Sequence, residues 1–227
     1  MKKASFKHYD LFLAASALSL LISNIAATKL IAFGPLILDG GAVLFPFAYI
    51  IGDVLTEVYG YRYARRAIWA AIAGLLVGVL VFSVVSILPY PDSYTSQEAY
   101  QAVLGFFPRI VIASILAFLV GEFLNSYVLA KLKVRDNGKH MWRRLLGSSV
   151  VGELFDTVTF CLVAFLGVLG GWDMVNYIVV GYLFKLAIEV VMLPVTYRVI
   201  KALKKSEGVD AFDTKTDFTP LSVSLTK

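Results

Sequence analysis

The segment LLGSSVVGELFDTVTFCLVAFLGVL, residues 145–169, is long and apolar, and its only charged side chains are Glu153 and Asp156. A helix needs roughly 20 apolar residues to cross the hydrocarbon core of a bilayer, which is about 30 Å thick. The segment is therefore predicted to span a membrane. Two carboxyl groups then lie three residues apart at a depth where lipid or packed helices are expected.

The chain around this segment is also strongly apolar. Of its 227 residues, 59% are hydrophobic and only 16% are charged, which is too apolar for a soluble domain of this size. We predict an all-α, polytopic membrane protein. Its transmembrane domain, residues 1–205, is expected to be a bundle of six transmembrane helices at residues 9–30, 42–59, 67–88, 110–129, 145–169 and 175–197.

The distribution of basic residues predicts the orientation of this bundle. The loops around FGPLILDG, LPYPDSYTSQEAYQ and GGWD contain no lysine or arginine until Arg109, at the outer end of the fourth span. The basic residues of the opposite side are Lys2, Lys3, Lys7, Arg62, Arg65, Arg66, Lys131, Lys133, Arg135, Lys139, Arg143, Arg144, Arg198, Lys201, Lys204 and Lys205. The positive-inside rule places both termini in the cytoplasm. It also explains the net charge of +5 without a nucleic-acid partner.

The last residues differ in composition from the rest of the chain. Residues 206–227 are polar and show no helical or strand periodicity. Such a segment cannot bury enough apolar surface to offset the entropy of ordering it. We therefore predict a disordered cytoplasmic tail at residues 206–227.

Several ionisable side chains share one depth in the predicted helices. The acids lie about nine to twelve residues from the nearest basic boundary, or roughly 13–18 Å at 1.5 Å per residue; they are Asp53, Glu122, Glu153, Asp156 and Glu189. Lys185 belongs to the same layer, four residues before Glu189 and on the same helical face. Glu57 is shallower and is expected to reach the interface beside Arg62.

Charged groups at this depth cannot face lipid. Each would cost about 2.5–3.5 kcal/mol even on a lenient insertion scale, so the side chains must face one another or water. One interpretation is that the acids bind Asn24, Asn125 and Lys185 and so hold the helices together. The other is a polar site for a solute. Small residues are sufficient for close packing of helices, and the chain already has them in ASALS, AAIAG and GLLVG.

A short repeated motif favours the second interpretation. GEFLNS at residues 121–126 and GELFDT at residues 152–157 share the pattern G-E-x-x-[ND]-[ST]. The three-residue spacing puts Glu122 with Asn125, and Glu153 with Asp156, on common helical faces. The two spans run in opposite directions, so the copies are related by an axis lying roughly in the membrane plane. Transporters that alternate access often show such symmetry, with the site near the midplane.

The chemistry of the layer indicates a class of ligand. Pairs of acceptors suit a ligand with two adjacent N–H donors in one plane, as on the edge of a guanine-like ring. The predicted binding side chains are Asn24, Asp53, Glu122, Asn125, Glu153, Asp156 and Lys185. The ring faces require apolar walls. Aromatic residues near the layer that could supply them are Phe45, Tyr49, Phe155, Phe160 and Phe184.

Four segments carry a resemblance to a known family. FPFAYIIGDVLTEVYGYRYARR, GEFLNSYVLAKLK, GELFDTVTF and GYLFKLAIEVVMLP together resemble the queuosine precursor transporters, within the wider vitamin uptake transporters. The resemblance covers residues 10–205, in order and spacing. It implies a six-helix protein of the cell inner membrane that imports 7-cyano-7-deazaguanine, or a related 7-deazapurine, for queuosine modification of tRNA. It implies no cofactor and no metal, and whether the chain forms a homodimer stays open.

The source of energy is not determined by these patterns. No G-x-x-x-x-G-K-[ST] motif occurs, so the chain does not hydrolyse ATP through a P-loop. An alternative is therefore a substrate-capture subunit that serves another vitamin-like solute with an ATPase partner. A self-sufficient carrier would be coupled to protons, because burial favours protonated carboxyl groups. Glu57 and Glu189 are the candidates for a proton or ion-pair site.

An intramembrane enzyme is the remaining alternative. His8 and His140 lie at the predicted water boundaries, which excludes Ser–His catalysis and histidine-rich metal binding at the midplane. An aspartyl protease would need only two acids, such as Asp53 and Asp156. However, the chain contains no GxGD, and a layer that includes asparagine and lysine suits solute binding better. We therefore predict that the protein is not an enzyme.

Overall fold

The computed structural model describes residues 6–33, 36–104, 108–167 and 170–221. The described chain is helical apart from one short antiparallel hairpin. In chain order the elements are α1 (Tyr9–Ala26), β1 (Leu30–Phe33), β2 (Leu36–Asp39), a 3-10 turn (Gly40–Val43), α2 (Phe45–Val54), a π-helical turn (Leu55–Tyr59), α3 (Tyr61–Ile87), α4 (Gln97–Leu104), α5 (Pro108–Arg135), α6 (Met141–Phe165) and α7 (Gly171–Glu207).

Five of these helices, α1, α3, α5, α6 and α7, are long and apolar enough to cross a membrane. The architecture is thus that of a helical, multi-pass membrane protein. The second predicted span, residues 42–59, is not one of the five. Residues 45–59 form α2 and the π-helical turn, which extend only about 22 Å, less than the hydrocarbon core. A sixth complete crossing therefore stays a prediction.

Some element boundaries differ from those predicted. Helix α3 begins at Tyr61, six residues before the predicted start, and α7 runs through Pro194 to Glu207. A proline is tolerated inside a membrane helix where neighbouring groups bind the freed carbonyl. The hairpin and α4 were not predicted. The predicted end of the fifth span, Leu169, lies outside the described residues.

Helices α5 and α6 run antiparallel and pack closely through two glycines. A Cβ added at Gly121 would lie 2.6 Å from the Cβ of Asp156, and one added at Gly152 would lie 2.7 Å from the Cβ of Asn125. Farther along the pair, Gly147 lies against Leu132. Hydrogen atoms in place of side chains let the two backbones approach, which is the usual basis of close helix packing in membranes.

The residues just before α1 and the last residue of α7 meet at one end of the bundle. The backbone N–H groups of Lys7 and His8 donate to the carboxylate of Glu207, at 2.9 and 2.8 Å. The Tyr59 hydroxyl donates to the same carboxylate at 2.9 Å. We call this the terminal end of the bundle; the opposite end carries the hairpin and the start of α7.

Residues 208–221 lie against the terminal ends of α3 and α5 rather than standing free. The Tyr61 hydroxyl donates to the Phe218 carbonyl at 3.0 Å, and the Phe218 ring contacts the Tyr61 ring, with centroids 4.8 Å apart. Arg65 donates to the carbonyls of Asp217 and Thr219, at 3.0 and 2.7 Å. The structure thus differs here from the predicted disorder of residues 206–227, because scattered aromatic and polar groups find individual partners. Residues 222–227 lie outside the described part of the chain.

Candidate functional site

A cavity of about 990 Å³ lies among α1, α2, α3, α5, α6 and α7. Its walls from α1 and α7 come from the halves of those helices remote from the terminal end, residues 16–27 and 176–185. Its size falls at the upper end of the range typical of small-molecule sites. The cavity is therefore the candidate functional site.

Four of the predicted polar side chains line the cavity: Asn24, Glu122, Asp156 and Lys185. The Lys185 ammonium group donates to the Asp156 carboxylate in an ion pair between α7 and α6. Both side chains keep about a fifth of their surface exposed, 21% and 19%. Lys185 and Glu189 share a helical face, but the ammonium group of Lys185 binds the Asp156 carboxylate across the helix interface.

Glu122 differs from the other charged residues of the cavity in its hydrogen bonding. Its carboxylate accepts no hydrogen bond from any residue that the structure describes, although the side chain is partly buried. The carboxylate rests against Gly52 of α2, where an added Cβ would lie 2.2 Å from Oε1. The glycine thus leaves room for the carboxylate beside the cavity. Glu122 is the acceptor that the structure leaves available to a ligand.

Aromatic side chains form part of the cavity wall. Phe45, Tyr49, Phe160 and Phe184 line it, as predicted. The Phe45 and Tyr49 rings lie 4.3 Å apart between centroids, and the Lys185 ammonium group lies 4.8 Å from the Phe45 centroid. Phe155 does not line this cavity: its side chain is 47% exposed.

The remaining predicted acids and Asn125 lie behind the cavity, not in its wall. Asp53, Asn125, Glu153 and Glu189 are all buried. The Asn125 amide donates to Asp53 at 3.1 Å, and the Ser149 hydroxyl donates to Glu189. The single polar layer predicted from depth thus separates into a cavity group and a buried group. Helix α2 divides them, since Tyr49 and Gly52 line the cavity while Asp53 points away from it.

Glu57 lies in a third polar group, at the terminal side of the cavity. It is fully buried and accepts two hydrogen bonds from Arg144, at 2.8 and 2.7 Å. Lys133 and Lys204 also pair with it. The expected position of Glu57 at the interface beside Arg62 is therefore wrong. The π-helical turn carries Glu57 inward, where it joins the cations of α5, α6 and α7.

Sequence reasoning missed part of the cavity lining. Ser16, Ser19 and Ser23 of α1 line it, as do Asn176 and Tyr177 of α7. Ser16 and Ser19 belong to ASALS, whose small residues we interpret as packing residues. The spacing of the three serines, by three and four residues along one helical face, was the available signal.

Comparison with known proteins identifies the family of this chain. Residues 39–199 match the family described as "Putative vitamin uptake transporter". The chain belongs to this family. The match includes α2, α3, α5, α6 and most of α7, and so most of the elements that surround the cavity.

Three curated relatives fall in the same group. The chain is 31% identical over 186 residues to the "Probable queuosine precursor transporter" of Bacillus subtilis, covering 82% of this chain and 81% of that protein. It is 28% identical to the "Queuosine precursor transporter" of Escherichia coli, over 70% of this chain and 71% of that protein. The chain is also 28% identical to the "Probable queuosine precursor transporter" of Haemophilus influenzae, over 70% of this chain and 67% of that protein. No solved structure is significantly similar to the chain.

Proposed function

We propose that this protein is an inner-membrane transporter that imports a queuosine precursor, 7-cyano-7-deazaguanine or a related 7-deazapurine, for the modification of tRNA. Membership of the vitamin uptake transporter family and the names of the three relatives support transport of this class of solute. The basic residues at the terminal end favour a cytoplasmic location for both termini. The cavity walls from α1 and α7 then lie in the half of the bundle nearer the outside.

The unpaired carboxylate of Glu122 is the observation that carries this proposal. A 7-deazaguanine presents an N–H and an amino group side by side in one plane. A carboxylate accepts from such a pair through both oxygens, and charge-assisted hydrogen bonds of this kind are among the stronger ones in proteins. Glu122 has no described hydrogen-bond donor on either oxygen, and Gly52 leaves the space that its carboxylate occupies at the cavity wall.

The other groups of the cavity complement the rest of such a ring. Lys185 uses one of its three N–H donors for Asp156, which leaves two for the ring carbonyl or for a nitrile. The Phe45 and Tyr49 rings supply apolar surface for the ring face. In this arrangement the paired charges fix the ligand in its plane and the aromatic residues exclude water.

Uptake by cells tests the proposal. Cells that cannot make the precursor and express this protein should accumulate labelled 7-cyano-7-deazaguanine. Guanine-like 7-deazapurines should compete for uptake and adenine-like ones should not, because an adenine-like edge leaves the Glu122 carboxylate without its donors. Glu122→Gln should weaken this distinction, because the amide replaces one acceptor by a donor.

A matched control variant is needed to show that a change in uptake does not come from poor expression or poor membrane insertion. Glu98 is an exposed acid on α4, far from the cavity, and Glu98→Gln should transport normally. Equal competition by guanine and adenine analogues would show that Glu122 does not bind the amino edge. Uptake that does not rise above that of cells lacking the protein would overturn the proposed substrate.

A further inference from the structure

A second group of acids is buried behind the cavity and takes no part in the substrate site described above. Asp53 of α2, Glu153 of α6 and Glu189 of α7 are only 2%, 0% and 5% exposed. None of them lines the large cavity. Three helices therefore bring three carboxyl groups together in the interior of the bundle.

These acids lack basic partners. No lysine, arginine or histidine forms an ion pair with any of the three in the ranges that the structure describes. Lys185 acts on Glu153 through its charge, but its ion pair is with Asp156. An ionised carboxylate in a protein interior without a cation is strongly disfavoured, and such a group binds a proton instead.

Three other acids act on Asp53 through their charge: Glu189 of α7, Glu122 of α5 and Glu57 of the π-helical turn. Glu57 is itself paired with Arg144, Lys133 and Lys204, and the described hydrogen bond to the Asp53 side chain comes from the Asn125 amide. Like charges disfavour ionisation of their neighbours. The surroundings of Asp53 therefore favour its neutral, protonated form.

The Glu153 and Glu189 side chains face each other directly. They lie close enough for a hydrogen bond between the two carboxyl groups. Neither oxygen of Glu153, nor Oε2 of Glu189, accepts a hydrogen bond from any N–H or O–H donor among the described residues. Two carboxyl groups can bond to each other only when one carries the proton. Glu153 is also influenced by the charges of Lys185 of α7 and Asp156 of α6, and its own charge acts on Tyr182.

A small second cavity joins Asp53 to Glu189. It has a volume of about 10 Å³, close to that needed for one water molecule, and its polar lining is Asp53, Glu189, Thr196 and Tyr49. Tyr49 lines this cavity and the large one. Phe45 also lines both cavities, so the Phe45 and Tyr49 side chains lie between the substrate cavity and the small cavity of Asp53 and Glu189.

We infer that Asp53, Glu153 and Glu189 form a proton-binding site that couples import of the substrate to the entry of protons. The inference rests on the proposed function, because it assigns the driving ion of that transport.

The arrangement links the proton site to the substrate site through charge. Glu189 and Asp156 both face Glu122, so the charge on the buried acids acts on the carboxylate of the substrate cavity. Protonation of Glu189 removes a negative charge from behind Glu122. Occupation of the two sites is thereby coupled, and such coupling is reciprocal.

The purified full-length protein in lipid vesicles provides the test. Labelled 7-cyano-7-deazaguanine is offered outside under an inward proton gradient, an inward sodium gradient or no gradient, with a pH-sensitive dye inside. With a proton gradient we expect accumulation of about tenfold per pH unit for each coupled proton, and acidification of the interior. Accumulation driven by sodium, or equal in all three conditions, would overturn the proton site.

Variants connect the effect to these residues. Glu189→Gln and Asp53→Asn keep the side-chain shape but cannot release a proton, so they should lose accumulation driven by the gradient yet retain exchange of labelled for unlabelled precursor. Glu98→Gln, an exposed acid, should behave as the original chain. Gradient-driven accumulation in both Glu189→Gln and Asp53→Asn would overturn the assignment.

A measurement on the unaltered chain covers the case in which a variant does not fold. Addition of unlabelled precursor to the detergent-solubilised protein in weak buffer should change the pH, because coupled sites exchange protons when one is filled. Exchange of labelled precursor without any pH change or gradient effect would overturn the proton site alone. Absence of exchange in the unaltered chain would overturn the proposed function and the proton site with it.

Discussion

Gly121 and Gly152 face each other across the α5–α6 interface in a reciprocal arrangement. A Cβ on Gly121 would lie 3.0 Å from the Gly152 carbonyl oxygen, and a Cβ on Gly152 would lie 2.9 Å from the Gly121 carbonyl oxygen. Gly121 also faces Asp156, while Gly152 faces Asn125, which occupies the equivalent position of the other motif copy. The two copies of G-E-x-x-[ND]-[ST] thus pack around a local two-fold axis.

The same axis relates two glutamates with different surroundings. Glu122 and Glu153 occupy equivalent positions in the two motifs, but Glu122 rests against Gly52 and lines the cavity, whereas Glu153 is fully buried beside Glu189. Glu122 lies beside Gly52 of α2, which has only a hydrogen atom as its side chain. Glu153 lies instead beside the carboxyl group of Glu189 of α7. The repeat therefore supplies one acid to each of the two proposed sites.

The close approach of the glycines predicts the effect of a methyl group. Gly152→Ala should destabilise the protein, because its Cβ meets backbone and Cβ atoms that cannot move away independently. Overpacking of this kind costs about 1–3 kcal/mol. The loss should appear as a lower melting temperature in detergent and as reduced uptake.

Gly74→Ala is the matched control for this change. Its Cβ would lie 3.8 Å from that of Ala17, an ordinary contact, and alanine favours a helix over glycine. Gly74→Ala should therefore melt at the original temperature or above it. A Gly152→Ala protein with unchanged melting would mean that the α5–α6 interface is looser than described.

A second prediction concerns Gly52 and the position of Glu122. Gly52→Ala places a Cβ within 2.2 Å of the Glu122 carboxylate, so the flexible side chain should move rather than the helices. We expect weaker binding of labelled 7-cyano-7-deazaguanine, by roughly tenfold or more, with little change in melting temperature. Unchanged binding would show that the ligand does not use Glu122 where the structure holds it.

The ion pair between Lys185 and Asp156 gives a third prediction. Lys185→Met leaves the Asp156 carboxylate without its partner, and Asp156→Leu does the same to the ammonium group. The double variant should be more stable than the sum of the single losses predicts, with a coupling energy of roughly 0.5–3 kcal/mol. Thermal melting of the four proteins measures this coupling. Additive losses would contradict a direct pair.

The membrane architecture was largely predictable from sequence because length, hydropathy and charge act locally. The spans of α1, α3, α5, α6 and α7 followed from apolar runs. The docked residues 208–221 were not predictable. Their order depends on contacts such as those of Phe218 with Tyr61 and of Arg65 with backbone carbonyls, which no local pattern shows.

The sequence predicted the depth of the site residues in the bundle, but not which side chains pair with each other. Residue counts placed Glu122, Asp156 and Lys185 at one level, and the structure brings all three to the cavity. Sequence spacing could not show that Glu153 turns toward α7, since its direction depends on how α6 is rotated in the bundle. For the same reason, the i, i+4 spacing of Lys185 and Glu189 suggested a pair that the fold does not form.

A fourth prediction follows from the buried charges around Glu57. Arg144 and Lys133 are only 1% and 2% exposed, and both depend on the Glu57 carboxylate. Removing one member of a buried charge group leaves the others uncompensated, at about 3–5 kcal/mol. Glu57→Gln should therefore lower the yield of folded protein and its melting temperature far more than Glu98→Gln. Comparable melting of the two variants would contradict the buried network.

The last prediction concerns docking of the tail through Asp210. Although partial burial opposes its ionisation, hydrogen bonds from Lys133 and Lys204 outweigh that effect and hold the pKa of Asp210 below its ordinary value of 3.8. Ionised Asp210 therefore stabilises the docked tail at every pH above that value, and the contribution disappears as the pH falls through the lowered pKa. Docking should be insensitive to pH near neutrality.

The Ala211 amide reports this docking, because its N–H donates to the Val58 carbonyl at 3.2 Å. Asp210→Asn should speed hydrogen exchange at Ala211 near neutral pH, by a factor matching ~1 kcal/mol or less, since the Asp210 side chain is 47% exposed. Lys215→Gln, an exposed change in the same segment, should leave exchange unaltered. Equal exchange in Asp210→Asn and the original chain would mean that the aromatic and backbone contacts hold the tail without the ion pair, whereas faster exchange in Lys215→Gln would show that any loss of charge loosens it.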